Sequence, residues 1–417
     1  MRQWLYAASK ANPGRPAVTN QTDPIPPELG YGTLFLRFLR FGVLAFGGPV
    51  AQIAMIRREL VDEEQWIGSA GFNKLLAVMQ ALPGPEAHEL CVHLGIRAKG
   101  RIGGVLAGLG FMLPGFVLML ALAWLYTRLP IDHTLLGGLF VGVQAAVLAV
   151  IVRAVHRIGE HILLDPWLWV VAAGSAITSL VGVTFWIVLP TAGVTYALIQ
   201  GRRKLWALAL LGIAAAVSLA VFSLEGGQLV TPVGTATTVP ATAAALFFAG
   251  LKGGLLTFGG AYTAIPFVRD DTVGRGWLSD NEFLDGLALS GVLPAPLVIF
   301  VTFIGWVSGG LAGALAITAG MFLPAFAFSL VFYERLEGVA DNKRLQMFLS
   351  GVAASVVGII TITLLDLAQA GLRDTPHMAT SLAIFAVALA VMYRWKSKLA
   401  TPAAMTIGAL AGVFALN

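Results

Sequence analysis

The segment PEAHELCVH at positions 85–93 places Glu86, His88, Glu89 and His93 within an otherwise apolar stretch. On a helix Glu86 and Glu89 share a face, as do Glu89 and His93. Carboxylic acids and imidazoles inside a membrane are candidate proton carriers, because modest tuning lets them load and release a proton near neutral pH. Glu86, His88 and Glu89 are therefore the candidate proton-coupling residues. The plainer alternative is that the two glutamates cap the helix start or pair with Arg97. The spacing of His88 and His93 suits a shared metal ion poorly, so no metal site is expected. A second chemistry comes from two cations. Arg40 and Lys252 occupy equivalent places upstream of two FGG motifs. A Lys or Arg near the middle of a span costs about 2.5 to 3.5 kcal/mol on insertion scales, so it normally faces a cavity or a partner. Together these two charges would neutralise a dianion. Snorkelling to the headgroups is the alternative, and it fits Arg40 better than Lys252.

Helix breaks would position these groups. Pro83 and Pro85 flank Gly84 in LPGP, and Pro294 and Pro296 flank Ala295 in LPAP. Each proline removes a backbone hydrogen bond and clashes with the preceding turn, so the helix must stop and restart. The restarted helix opens with unpaired N–H groups and a positive dipole end, which bind an anion without a charged side chain. Gly47 and Gly48, followed by Pro49, break the first apolar segment, and Gly259 and Gly260 break its counterpart. Both glycine pairs could bring backbone close to a ligand. The candidate substrate-binding set is thus Arg40, Lys252, Gly47, Gly48, Gly259, Gly260, Pro83, Gly84, Pro85, Pro294, Ala295 and Pro296. Kinks and close helix contacts are the competing explanation for the same motifs.

The 417 residues are 57% hydrophobic and 12% charged, with a mean hydropathy of +0.82. Such a chain belongs in lipid. Its long continuous apolar stretches indicate a helical bundle rather than the short alternating segments of a β-barrel. One cysteine, Cys91, excludes an intrachain disulfide and a polycysteine metal site. No dinucleotide, flavin, haem or Walker A signature is present, so neither a cofactor nor enzyme activity is expected. The sequence pI near 9.4 is read as topology information and not as a sign of nucleic-acid binding. Residues 1–32 are polar and proline-bearing, without the features of a signal peptide, and read as a cytoplasmic tail.

Apolar segments near 33–56, 72–96, 103–127, 134–152, 205–222, 243–267, 283–305, 310–333, 346–366, 378–393 and 400–416 are candidate spans. The stretch 167–200 reads as two short helices hinged near Gly182. This makes about thirteen crossings. With the amino terminus inside, most of the 27 Lys and Arg residues fall in inside loops. Arg57, Arg58, Arg128 and Arg373 fall outside, as does the carboxyl terminus. His156 and His161 are expected in an inside loop, and Trp66, Trp277 and Trp395 in an interfacial belt.

The chain is internally repeated. FGVLAFGG at 41–48 matches GGLLTFGG at 253–260, LPGP matches LPAP, and GFMLPGF at 110–116 matches GMFLPAF at 320–326. The shift stays near about 210 residues throughout. An odd linker helix inverts the second copy, the arrangement of many secondary transporters whose substrate site lies at the repeat interface. The expected fold is all-α and polytopic, with broken helices at the FGG, PGP and PAP motifs. Its parts are the tail 1–32, a first repeat 33–200, a linker helix and loop 201–242, and an inverted second repeat 243–417.

These motifs, FGGP at 46–49, LPGPEAHEL at 82–90, GRIGG at 100–104, FMLPG at 111–115, FGGAYTAIP at 258–266, LPAP at 293–296 and FLP at 322–324, resemble those of the two-domain chromate ion transporter (CHR) family. The resemblance covers about residues 33–200 and 243–416. It implies efflux of chromate, chromate resistance and a bacterial inner membrane. Coupling to the proton gradient is the economical expectation for a chain with no nucleotide site. Ala295 departs from the family's PGP pattern, so the two helix starts need not bind equally. Sulfate, of the same charge and shape, is the main alternative substrate; an anion channel and a membrane-bound chromate reductase are further alternatives.

Overall fold

The computed structural model describes residues 24, 26–129, 135–224, 240–331, 333, 342–373, 378–395, 397 and 399–415. Most of the expected tail and the polar stretch at 225–239 lie outside the described residues. The rest is helical: α1 (Tyr31–Val43), α2 (Gly48–Arg57, continued by a π-helical turn, Arg58–Glu63), α3 (Ser69–Ala81), α4 (Glu86–Tyr126), α5 (Leu135–Ile162), α6 (Pro166–Leu180), α7 (Phe185–Gln200) and α8 (Lys204–Leu224). The second repeat follows as α9 (Ala243–Leu255), α10 (Ile265–Thr272, after a 3-10 turn Ala261–Ala264), α11 (Asp280–Val292), α12 (Phe300–Val331, after a 3-10 turn Leu297–Ile299), α13 (Lys343–Arg373), α14 (Met378–Arg394) and α15 (Ala400–Ala415). Element for element, α1–α7 correspond to α9–α15, with α8 between them.

Helix α4 is two limbs joined by a reversal. Lys99 (φ −146°, ψ 30°) and Gly100 (φ 65°, ψ −166°) leave the helical region. Gly309 (φ −150°, ψ 20°) and Gly310 (φ 61°, ψ −153°) do the same in α12. The positive φ requires glycine at the second position of each turn. The limbs then pack so closely that a Cβ on Gly95 would lie 2.5 Å from the Gly103 carbonyl, and one on Gly305 would lie 2.5 Å from that of Gly313.

This packing changes how four of the expected spans are read. Arg37 donates to Glu59 at 3.2 Å and pairs with Glu64, while Arg40 pairs with Glu59. The chain therefore turns at 44–47 and runs back beside α1. Next, α3 descends to the PGP break and the first limb of α4 returns, its Arg97 donating to the Trp66 carbonyl and its Lys99 lying over the Tyr31 ring. Residues 31, 66 and 99 thus share one side. In the second half α9 and α10 form a hairpin closed by Lys252 with Asp270 and Asp271, and Phe283 packs on Phe300 between α11 and α12. Four expected crossings, 33–56, 72–96, 243–267 and 283–305, therefore fold as helical hairpins that turn back at their glycine or proline tips. Thirteen residues of α-helix rise about 20 Å, too little for a hydrocarbon core of about 30 Å. The remaining apolar helices are the second limbs of α4 and α12 together with α5–α8 and α13–α15. Among the described residues, four stretches are long and apolar enough to span unaided: Glu86–Tyr126, Gly137–Ile162, Leu297–Val331 and Lys343–Gly371. The first and third each include a returning limb.

The inversion expected from the repeat is visible in side-chain contacts. Trp306, beside the second-half reversal, donates to Thr127 at the far end of α4. Tyr333, beyond the far end of α12, stacks on His93 near the first-half reversal. The reversal of each broken helix thus lies on the side where the broken helix of the other repeat ends. Lipid tails give helices little hydrophobic reason to associate, so small residues bring backbones close. A Cβ on Gly142 of α5 would lie 2.1 Å from the Gly408 carbonyl of α15, and one on Gly351 of α13 would lie 2.6 Å from the Ala192 carbonyl of α7.

Other expectations fare unevenly. The hairpin at Gly182 forms as two short helices, α7 following α6, and Asp165 caps α6 by accepting from the Trp167 and Leu168 amides while Tyr196 donates to its other oxygen at 2.6 Å. His156 and His161 are not in a loop: α5 continues past 152 to Ile162 and carries both on its last turns. Trp66 leaves the expected interfacial belt, because the returning hairpin buries it completely against Phe38 and beneath Arg37.

Candidate functional site

The hairpin tips carry the motifs, and they meet across the repeats. The Gly84 amide of the first-half PGP tip donates to the Thr257 carbonyl of the second-half FGG tip at 2.9 Å. In the reciprocal contact Gln52, just after the first-half FGGP, donates through Nε2 to the Ala45 and Ala295 carbonyls, each at 2.9 Å. A Cβ on Gly115 would lie 2.3 Å from Ala295 Cβ, and one on Gly84 would lie 3.4 Å from Ala325 Cβ. Each proline tip therefore touches the FGG tip and the LPG or LPA turn of the other repeat. Non-helical backbone at membrane depth is tolerated only where protein buries it or a watery cavity receives it. Four such tips at the repeat interface satisfy that condition together.

The glycines at the tips have the geometry their motifs suggested: Gly47 and Gly48 have φ of 88° and 76°, and Gly259 and Gly260 have 77° and 129°. Pro85 precedes the first turn of α4, and Pro296 that of the short 3-10 turn leading into α12. This reciprocal set of contacts sits in a chain whose repeats match a known family. The chromate transporter profile covers residues 32–198 and 244–413.

The chain belongs to the chromate transporter family. It is 60% identical to the chromate transport protein of Pseudomonas aeruginosa over 94% of each chain. It is also 32% identical to that of Cupriavidus metallidurans over 92% of each chain. A probable chromate transport protein of Synechococcus elongatus is 31% identical, over 93% of this chain and 96% of its own. No solved structure matches.

In this chromate transporter the two candidate cations occupy repeat-equivalent ion pairs. Lys252 Nζ lies 2.8 Å from Asp271 and 3.3 Å from Asp270, with the Phe185 ring 4.3 Å away. Arg40 pairs with Glu59, which stands at the same sequence separation as Asp271 from Lys252. In both repeats the pair ties the entering arm of the first hairpin to its returning arm. The partner acids were legible only once the hairpins were known, because as crossing spans the two arms would not have brought them together.

The acidic candidates gather at the PGP tip. Glu89 is fully buried, and neither carboxylate oxygen has a hydrogen-bond partner among the described residues. A Cβ on Gly84 would lie 2.5 Å from its Oε1. Glu86 lies in the same turn, with the Gln80 amide in hydrogen-bonding range and His161 of α5 within electrostatic reach. His88, also fully buried, stands among the rings of Phe111, Phe322 and Phe326 at 4.7–6.5 Å. The PAP tip has no acidic counterpart, since PLVIFVTF follows it. Sequence reasoning missed Gln52, a lone amide in the helix after FGGP; its repeat equivalent is Ala264, so this bridge is present in one half only.

The Gly84 geometry carries a prediction. At φ 144°, alanine is strained by about 1–3 kcal/mol and its methyl displaces the Glu89 carboxylate. Gly84→Ala is expected to cut chromate uptake by more than about tenfold while leaving the protein in the membrane. Gly48→Ala, whose Cβ meets nothing within 4 Å, should be milder. Uptake by vesicles carrying matched amounts of each variant measures the difference.

Proposed function

We propose that this chain is a secondary active transporter that exports chromate from the cytoplasm in exchange for protons and thereby confers chromate resistance. The observation that carries this reading is the crosswise meeting of four broken-helix tips at the interface of two inverted repeats, in a chain of the chromate transporter family. The dianion binds at those tips, where the glycine and proline positions already named let backbone N–H groups face it. Glu86 and Glu89 exchange the proton at the PGP tip. His88, packed among phenylalanines, shapes the helix start beside them. Arg40 and Lys252 hold the hairpin arms through their carboxylates and contribute positive potential to the tips.

The membrane is a bacterial inner membrane, with the amino terminus cytoplasmic. The re-entrant hairpins bring Arg57 and Arg58 to the side of Arg97, Lys99 and Arg101, which strengthens the inside assignment of that face. The number of crossings stays odd, so the carboxyl terminus is periplasmic.

The test is chromate uptake into inside-out vesicles, with and without an acid-inside gradient and with sulfate as competitor. Gradient-dependent, saturable accumulation of chromate is expected. Equal accumulation of sulfate would make the protein a general tetrahedral-oxyanion carrier. Non-saturating flux indifferent to the gradient would make it a channel.

A further inference from the structure

The last turns of α5 supply a group to the PGP and FGG tips that neither motif contains. A Cβ on Gly259 would lie 2.6 Å from Ile162 Cδ1, and one on Gly260 would lie 3.9 Å from Ile158 Cδ1. The face of α5 carrying Ile158 and Ile162 therefore packs on the second-half FGG tip. Arg157 and His161 stand beside these two isoleucines on the same turns. The Arg157 guanidinium is within electrostatic reach of the Tyr262 phenol, just after that FGG tip. His161, whose Nδ1 lies 2.7 Å from the Arg157 carbonyl, is within electrostatic range of Glu86, just after the PGP tip. This helix end thus packs on the FGG tip, which the Gly84 to Thr257 hydrogen bond joins to the PGP tip.

Among the basic residues around these tips, Arg157 differs in its partners. Arg40, Lys252, Arg269 and Arg275 each have a carboxylate partner. Arg153, one turn back on α5, has Glu160 at 3.8 Å and the Tyr393 ring at 4.8 Å. Arg157 has no carboxylate within ion-pairing distance among the described residues. It is exposed, so solvent and solute reach it. A planar guanidinium presents paired N–H donors that match two oxygens of a tetrahedral oxyanion.

We propose that Arg157 is the side-chain cation that captures the oxyanion, holding it at the mouth formed by α5, the first-half PGP tip and the second-half FGG tip. The proposal rests on the transport reading above and assigns to it a substrate contact outside the repeat motifs. The dianion enters with its charge partly neutralised by Arg157 and moves toward the N–H groups of the tips. Glu86 is within electrostatic range of His161 on the same helix end as Arg157, so proton and oxyanion occupancy would influence each other.

The experiment measures the concentration dependence of chromate uptake into inside-out vesicles for wild type, Arg157→Ala, Arg157→Gln, Arg157→Lys and Arg153→Ala, at matched protein levels. Loss of a charge-assisted contact should raise KM about tenfold in Arg157→Ala and Arg157→Gln with little change in maximal rate. Arg157→Lys should recover part of the affinity, and Arg153→Ala should keep the wild-type KM. The glutamine variant keeps a polar side chain of similar length if alanine harms folding. If wild type transports with saturation and both neutral variants keep its KM, the proposal falls and the transport reading stands. An equal rise in KM for Arg153→Ala also overturns it, since the effect would then belong to the general charge of the helix end. If wild type moves no oxyanion, the transport reading fails and takes the proposal with it.

Discussion

Lys252→Ala is expected to remove most of the folded protein, and Lys252→Ala combined with Asp271→Asn to recover much of it. Four charges meet at this place: Lys252, Asp270, Asp271 and Arg275, with Asp271 accepting from Arg275 at 2.8 Å. Their formal sum is zero. Removing Lys252 alone leaves an uncompensated negative charge beside a carboxylate that is only 6% exposed, and breaking a buried pair in this way costs about 3–5 kcal/mol. Neutralising Asp271 as well leaves Asp270 and Arg275 to balance each other. Thermal unfolding of the purified protein in detergent measures the coupling as a double-mutant cycle. If Lys252 instead served the substrate alone, the single variant would fold normally and lose only transport, and Asp271→Asn would rescue nothing. The equivalent pair, Arg40 with Glu59, should show a smaller effect. Arg40 is 58% exposed, and Glu59 keeps Arg37 when Arg40 is removed.

The same pair explains what the sequence could and could not reveal. Hydropathy reports how many apolar residues lie in a row, and 33–56 is long enough for one crossing. It does not report that Gly47 and Gly48 reverse the chain, because a broken crossing helix and a re-entrant hairpin share the same composition. The repeat, the breaks and the inversion were legible, since three motifs recur in order and the basic residues fix the parity. Parity survives the correction because hairpins replace crossings in pairs within each repeat. What changed is the side of the intervening loops, and with it the partners of Arg37, Arg40 and Lys252. Trp66 shows the same effect: near the end of a presumed span it reads as interfacial, yet a returning hairpin buries it.

At the candidate site, the motif residues were found because glycine and proline announce their backbone roles. Gln52 and Arg157 were not found, because neither belongs to a repeated motif. Gln52 bridges to Ala295 across the repeat interface, and no local pattern in the chain encodes that distance. Arg157 fell within a cluster read as topology, and its position beside Tyr262 depends on α5 extending ten residues past the expected end of its span. Contacts across an inverted interface arise from the packing of distant segments, which periodicity cannot register.

Replacing Glu86 or Glu89 with glutamine is expected to uncouple chromate movement from the proton gradient while preserving the fold. Glutamine keeps the shape of the side chain and removes the ionisable group. Glu89 is fully buried without a cation or hydrogen-bond donor against either oxygen among the described residues. Carrying a charge there is expensive, so a neutral replacement should hold or raise the unfolding temperature. Transport should respond in the opposite sense. With the exchangeable proton gone, an acid-inside gradient can no longer drive uptake into inside-out vesicles, and the accumulation ratio should fall by about tenfold or more toward equilibration. Binding should persist, since the tip N–H groups and Arg157 are untouched. The decisive comparison is exchange of labelled chromate across the membrane without a gradient, set beside gradient-driven accumulation in the same vesicles. Retained exchange with lost accumulation assigns the proton step to these acids. Accumulation at the wild-type level in both variants would remove them from coupling and return the glutamates to the plainer role of capping the start of α4.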